Sequence, residues 1–231
     1  MIQGMLCRRT DGTSLPSLSL PDRYLPFSSI GKSFAENNIC EMGYAVSKIY
    51  ARSIIEEFSI RFDENIHCLE DLLFMYQYLL HCDYLVLNHM QNYVYVKHPF
   101  SLSHRIHSFE SEYCCFVKYQ QLLAEMMKVW KIPVGDMVVT VNSMLVPFRR
   151  ALKSDYQPDR TIPREMRVKH LKRMISESRD VFLKYYHPVF KTDKLGKVLL
   201  GFNCYILYDF YIRLLFRLNI GPVFYGPKHM Y

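Results

Sequence analysis

Past Pro99 the sequence keeps returning to one spacing. Apolar side chains recur three and four residues apart through residues 106–130, 134–153, 163–186 and 195–218, with Pro133, Pro158, Pro163 and Pro188 punctuating the segments. A 3.6-residue period sustained over that length commits the C-terminal part of the chain to packed helices, because every segment has one apolar face to bury. Pro147 falls inside the second segment and is expected to kink or break it.

Strand signals are confined to the middle of the chain. Tyr84 to Asn88 and Tyr93 to His98 are rich in β-branched and aromatic residues on either side of His89-Met90-Gln91, which predicts two adjacent strands joined as a hairpin. Residues 59–68 read as strand or loop. Ahead of them, Ala45, Ile49 and Ile54 suggest a short helix over Tyr44 to Glu57. Behind them, LEDLLFMYQYLLHC sets Leu69, Leu72, Leu73, Tyr76 and Leu80 on one helical face. Residues 1–43 show neither period. Ser, Pro and Asn recur there, the Asp11-Gly12-Thr13-Ser14 stretch reads as a turn, and the segment is expected to be irregular. The expected fold class is therefore α+β, predominantly α-helical. It has three parts: an irregular N-terminal segment over 1–43, a middle region with a short strand pair over 44–105, and a helical region over 106–231.

Half of the 231 residues are hydrophobic and 22% are charged, which excludes intrinsic disorder because enough apolar surface is present to offset the ordering entropy. Nine glycines and eleven prolines exclude a fibrous repeat. The longest apolar run near the C-terminus, Val198 to Tyr208, is interrupted by Gly201 and Asn203 and is too short to span a bilayer. The first dozen residues contain no continuous apolar stretch, so no secretory signal is expected. Seven cysteines without a CxxC pair suit reduced thiols in a cytoplasmic compartment.

The formal charge of +7 is unevenly placed. Residues 1–150 hold 14 basic and 15 acidic side chains, and residues 151–231 hold 15 and 7, a net of +8 for the last third. Such an excess is either a solvated face or a surface that meets phosphates. Within it, residues 194–219 are apolar over most of a helix, and Asp209, Arg213 and Arg217 fall four residues apart as one polar stripe. With Lys191, Lys194 and Lys197 before it, the 191–219 segment suits a helix lying on an anionic membrane surface, or one buried in a bundle with the preceding helices. No recognised nucleic-acid module accompanies the charge, and no nucleic-acid partner is expected.

Three groups of residues stand in order along the middle region. They are Gly43-Tyr44-Ala45-Val46-Ser47-Lys48-Ile49-Tyr50; then Arg61-Phe62-Asp63-Glu64 followed by Leu69-Glu70-Asp71-Leu72-Leu73-Phe74; then Tyr93-x-Tyr95-x-Lys97 with Ser101-Leu102-Ser103. Over roughly residues 40–105 this succession resembles the C-terminal half of the bacterial family 2 glycosyltransferases, inverting sugar transferases of the GT-A fold. The resemblance implies a partial GT-A domain, its acceptor-side half, acting in surface polysaccharide synthesis such as that of capsule or lipopolysaccharide. It implies a nucleotide-sugar donor and a glycan or lipid-linked acceptor, the latter placing the protein peripherally on the inner face of the cytoplasmic membrane. It also implies that Asp71 is the catalytic base and that Glu70 orients the site. Lys48, Tyr95 and Lys97 are the implied substrate-binding residues, the lysines facing a diphosphate or an acceptor phosphate.

The chemistry requires such a base, since an acceptor hydroxyl is a poor nucleophile until a positioned carboxylate takes its proton. Each residue also has a plainer reading. Glu70 and Asp71 stand where helix starts favour acids, Lys48 and Lys97 suit exposed element ends, Tyr93 and Tyr95 suit strand packing, and His98 or His104 suits either a metal ligand or a polar strand end. The family's divalent metal, Mg or Mn, is held by an Asp-x-Asp motif, and no Asp-x-Asp occurs anywhere in this sequence. The expectation is a truncated family member that keeps the acceptor side and the base without the donor half. The alternative is a non-catalytic module for a membrane surface or a partner subunit.

Overall fold

A computed structural model of the chain describes residues 1–36, 39, 42–98, 105–132, 145–156, 161–185, 188, 191–218 and 220. The protein is α+β. It divides into two compact units, residues 1–105 with 121–136 and residues 106–120 with 137–231.

The first unit is built on a four-stranded mixed sheet. Its strands are β1 (Ile2–Arg9), β2 (Ser14–Leu18), β3 (Arg23–Pro26) and β4 (Tyr84–Lys97), in the order β2-β1-β4-β3. β1 and β4 run parallel at the centre, and the two outer pairings are antiparallel. The expectation of an irregular 1–43 segment is corrected here: it supplies three strands and the helix α1 (Phe27–Glu36). The sequence conceals β1 because it has few β-branched residues and takes its order from pairing with residues some eighty positions away. Pro16 does not exclude β2, since β2 is an edge strand with no need for every ladder N–H. The turn at Asp11-Gly12 joins β1 to β2, with the Thr13 N–H donating to Asp11 Oδ1 at 2.8 Å.

The expected hairpin over 84–98 is also corrected. β4 is one strand, and His89-Met90-Gln91 forms a bulge in it. Between Gln3 and Met5 β1 advances two residues while its partners on β4 advance five, from Asn88 to Tyr93. No Asn-Gly or Gly-Xaa pair is present there to make a two-residue hairpin turn, so the extra residues are absorbed locally. Gly4 makes room for them. A Cβ at that position would lie 2.9 Å from Gln91 Cγ and 2.9 Å from the Leu18 carbonyl oxygen.

Two helices follow in the crossover, α2 (Arg52–Glu57) and α3 (Glu70–Leu79). The helix expected from Tyr44 to Glu57 is thus only its last part. Ser47 has φ 60°, which ends any helix, and the backbone around it pairs instead with the start of β1. α3 turns Leu72, Leu73, Met75, Tyr76 and Leu79 inward. Tyr76 meets Phe34 of α1 edge-on at 5.5 Å, and Phe34 meets Trp130 at the same distance.

Trp130 ends α4 (Phe109–Trp130), whose early turns belong to the second unit. The remaining helices of that unit are α5 (Leu145–Asp155), α6 (Arg164–Tyr185), α7 (Lys191–Gly201) and α8 (Tyr205–Arg217). Pro147 stands in the first described turn of α5, a place where proline is tolerated, and the stretch ahead of it where a kink or break was expected lies outside the described residues. Residues 134–144 of the segment expected to be helical lie outside the described residues. The single helix expected over 195–218 is two, broken at Asn203 with φ 57°, a conformation asparagine tolerates better than most residues.

The second unit is cored by Phe116, Phe148, Leu171, Met174, Ile212 and their neighbours, and buried ion pairs fix its helices in register. Glu112 of α4 binds Arg150 of α5 through both carboxylate oxygens, at 2.8 and 2.9 Å. Arg149 reaches Asp193 of α7 at 2.7 Å, and His170 of α6 meets Asp155 of α5 at 2.8 Å. Asp209 is only 2% exposed, which corrects its expected place on a surface stripe. Its carboxylate accepts two hydrogen bonds from the Arg167 guanidinium at 2.7 and 2.9 Å and one from the Tyr156 hydroxyl at 2.7 Å. Among the described residues no helix is long and apolar enough to cross a membrane.

Burial alone would raise the Asp209 carboxyl, but the Arg167 and Tyr156 hydrogen bonds outweigh it and hold the group below the usual carboxylate range. A value lowered by folding adds stability above the unfolded carboxylate value and loses it as pH falls through the folded one. The wild-type chain is therefore expected to lose stability on acidification below about pH 4. Asp209→Ala strands a buried guanidinium, which costs ~3–5 kcal/mol. Its melting temperature at pH 7, followed by circular dichroism, should fall by about 10 °C.

Candidate functional site around Asp71

Residues 43–51 form a strap between β1 and α3. The Gln3 N–H donates to the Ser47 carbonyl at 2.9 Å, and the Ser47 hydroxyl donates to the Gly4 carbonyl at 3.1 Å. Lys48 bridges Ile2, and the Ile49 N–H donates to the Met1 carbonyl at 2.9 Å. At the other end of the strap the Ala51 N–H donates to the Tyr78 hydroxyl of α3 at 2.8 Å. Gly43 is buried against the first turn of α3. A Cβ there would lie 2.5 Å from Leu72 Cβ, so only glycine permits this approach.

That approach delivers the Ala45 N–H to Asp71, whose Oδ2 accepts it at 3.2 Å. Asp71 Oδ1 accepts the Leu72 N–H at 2.8 Å, one of the donors that the first helical turn leaves without an intrahelical partner. The carboxylate is thus fixed by two backbone groups and half-buried. Leu69, which caps the helix, has φ 65°, a strained conformation for a bulky residue, and offers no side-chain cap.

Burial pushes the Asp71 carboxyl up from the ordinary carboxylate value, and the neighbouring Glu70 charge pushes the same way. The Leu72 and Ala45 hydrogen bonds and the Lys48 charge pull against that rise without cancelling it. Lys48 is half-buried. Its Nζ donates to the Tyr44 carbonyl oxygen and stands 4.3 Å from the centre of the Tyr44 ring. Burial brings its ammonium down to about 8, with the Asp71 charge only partly opposing.

Aromatic rings surround the pair. Tyr50 meets Phe74 and Tyr78 edge-on at 5.4 and 4.8 Å, and Phe62, half exposed, stacks on Phe74 at 4.6 Å. Burial, then the Asp71 charge, raises the Tyr50 phenol and keeps it protonated.

Of the residues expected at the site, the structure brings together Lys48, Glu70 and Asp71. Tyr95 and Lys97 stand elsewhere: they register with Cys7 and Arg9 of β1, whereas Lys48 bridges Ile2 at the opposite end. Ile2 and Arg9 are seven residues apart, ~23 Å of strand. Ser101, Ser103 and His104 lie outside the described residues. The backbone N–H of Ala45 and the ring of Tyr50 were not singled out in the sequence. The first carries no side-chain signal, and the second ends the Ser-Lys-Ile-Tyr run that carries the resemblance but has no role of its own assigned there. Among the described residues no three His, Cys, Asp or Glu side chains gather as a group that could hold a metal ion, so the divalent metal implied by the resemblance has no donor set in them. Comparison with family models, curated proteins and solved structures returned no match for this chain.

Two stability measurements test this geometry. Gly43→Ala overpacks the strap against Leu72 at a cost of about 2 kcal/mol, and should lower the melting temperature by ~4–8 °C. A carboxyl raised by folding favours the native state below the unfolded value, and that contribution is lost as pH rises through the folded value. Asp71→Asn keeps an acceptor for the Ala45 N–H but carries no charge. It should melt above the wild type at pH 7 and together with it near pH 4.

Proposed function

We propose that this chain carries the acceptor-side part of an inverting glycosyltransferase of the GT-A type, with Asp71 as its general base. The observation that carries the reading is the Asp71 carboxylate, fixed by the Ala45 N–H and by its own helix turn, with a proton affinity raised by burial and by Glu70. A base is most effective when its proton affinity approaches the operating pH. Asp71 meets that requirement better than an ordinary surface carboxylate.

In the proposed reaction Asp71 takes the proton of an acceptor hydroxyl as its oxygen bonds to the anomeric carbon of the donor sugar. The bond from that carbon to the nucleoside diphosphate breaks on the opposite face, and the configuration inverts. Lys48, charged below about pH 8, favours the ionised form of Asp71 and offsets part of the rise that burial and Glu70 impose. Its positive charge also opposes the negative charge that gathers during transfer. The exposed ring of Phe62 and the edge of Tyr50 offer apolar faces for the C–H side of a sugar ring. Glu70, beside Asp71 in the first turn of α3, orients the acceptor.

The reading is tested by nucleoside-diphosphate release and glycan formation with a panel of nucleotide sugars. Asp71→Asn should lower kcat by about 10²- to 10⁴-fold, the usual contribution of a general base, while binding of the acceptor changes little. Full activity in that variant would reject the assignment. The pH profile should rise with ionisation of Asp71 and decline near pH 8 as Lys48 loses its proton. Lys48→Arg, which stays charged, should remove the alkaline decline.

A further inference from the structure

On α8 several of the side chains facing solvent are apolar. Ile206 and Phe210 are 60% and 68% exposed, Leu214 follows one turn later, and Phe202 precedes them at 78%. Positions 206, 210 and 214 are four residues apart and form one stripe along α8, while Phe202 lies in the turn ahead of it. Leu195 and Val198 of α7 are about half exposed as well. Single exposed apolar residues are ordinary, but a continuous stripe marks an interaction surface.

The charges on these two helices say what the surface fits. Their two acids both point inward, Asp193 to Arg149 and Asp209 to Arg167. Lys191, Lys194, Arg213 and Arg217 remain exposed. Among the described residues the outer side of α7 and α8 is therefore apolar and cationic, with no acid of its own. An anionic bilayer answers both properties, because acyl chains accept the stripe and headgroup phosphates accept the basic tips. Among the described residues no helix is long and apolar enough to span a bilayer.

We infer that α7 and α8 form an amphipathic docking surface for an anionic lipid bilayer, with Ile206 and Phe210 entering the acyl boundary and Arg213 and Arg217 meeting headgroup phosphates. The surface is independent of the sugar-transfer reading, and its test needs no turnover.

The full chain is mixed with vesicles of phosphatidylcholine alone or with phosphatidylglycerol added, at about 0.05 M and about 0.5 M salt, and co-sedimentation is measured. Binding is expected to the anionic vesicles at low salt and to weaken at high salt. The double variant I206S/F210S should bind about tenfold more weakly, and R213Q/R217Q should lose the preference for anionic lipid. All four positions are exposed, so the melting temperatures of both variants should match the wild type and separate lost docking from lost folding. Absence of binding to anionic vesicles would overturn the inference, as would equal binding by I206S/F210S. Concentration-dependent dimerisation that I206S/F210S abolishes, without vesicle binding, would give the face to a second copy of the chain and equally overturn it.

Discussion

The parallel pairing of β1 with β4 is the constraint on which the first unit depends. Parallel neighbours cannot be joined by a tight turn, so the chain must leave the far end of β1 and cross back to the end where β1 starts before β4 begins. Everything between Thr10 and Asp83 is that return path. Its first part covers both edges of the sheet with β2 and β3, and its last part lays α1 and α3 over the apolar side chains. The strap over residues 43–51 closes the path by tying α3 to the start of β1, and that closure brings the Ala45 N–H to Asp71.

In the second unit, charge rather than apolar pattern distinguishes one helix register from another. Glu112–Arg150, Arg149–Asp193, Asp155–His170 and Arg167–Asp209 each join two different helices, and their carboxylates are all nearly inaccessible to water. Desolvating such pairs costs about what their attraction returns. Sliding any helix by one turn, however, would leave several charges buried and unmatched. The same pairing shapes the surface of the last third, because it draws Asp155, Asp193 and Asp209 inward with Arg167 as the one arginine of that third among their partners. The +8 of the last third is therefore expressed more strongly at the surface than a residue count suggests.

Legibility in the sequence followed the range of the interactions that create each element. α3, α4 and α6 were visible because their apolar spacing is local, and Glu70-Asp71 was visible as the acidic start of α3. β1 and β2 were not, since a strand with few or no β-branched residues takes its order from partners elsewhere. The strap was misjudged for a related reason. Ala45, Ile49 and Ile54 mimic a helical face, while Ser47 leaves the helix and the backbone joins β1. Asp209 showed the limit of a surface argument: three charged residues at four-residue spacing looked like one solvated stripe, yet Arg167, forty-two positions earlier, turns the first of them inward. Lys48 and Asp71 could be named from their motifs. What brings them to one place, a glycine approaching Leu72 and a single peptide N–H, leaves almost no mark in the sequence.

The strain around Asp71 supports a role beyond starting a helix. Ser47 and Leu69 both hold the left-handed conformation, and they flank the two segments that meet at the carboxylate. An ordinary helix start would have Ser, Thr, Asp or Asn at the cap and no reason to hold a leucine at φ 65°. Here the cap is strained, a carboxylate and an ammonium are both pushed toward their neutral forms, and a glycine is required for the closest contact. Each feature lowers stability, and none improves the packing of the core on which α3 rests. Left-handed backbone also occurs at Ser59, Lys131 and Asn203, so what distinguishes this place is the half-buried pair itself, whose shifted proton affinities mark it as a candidate site.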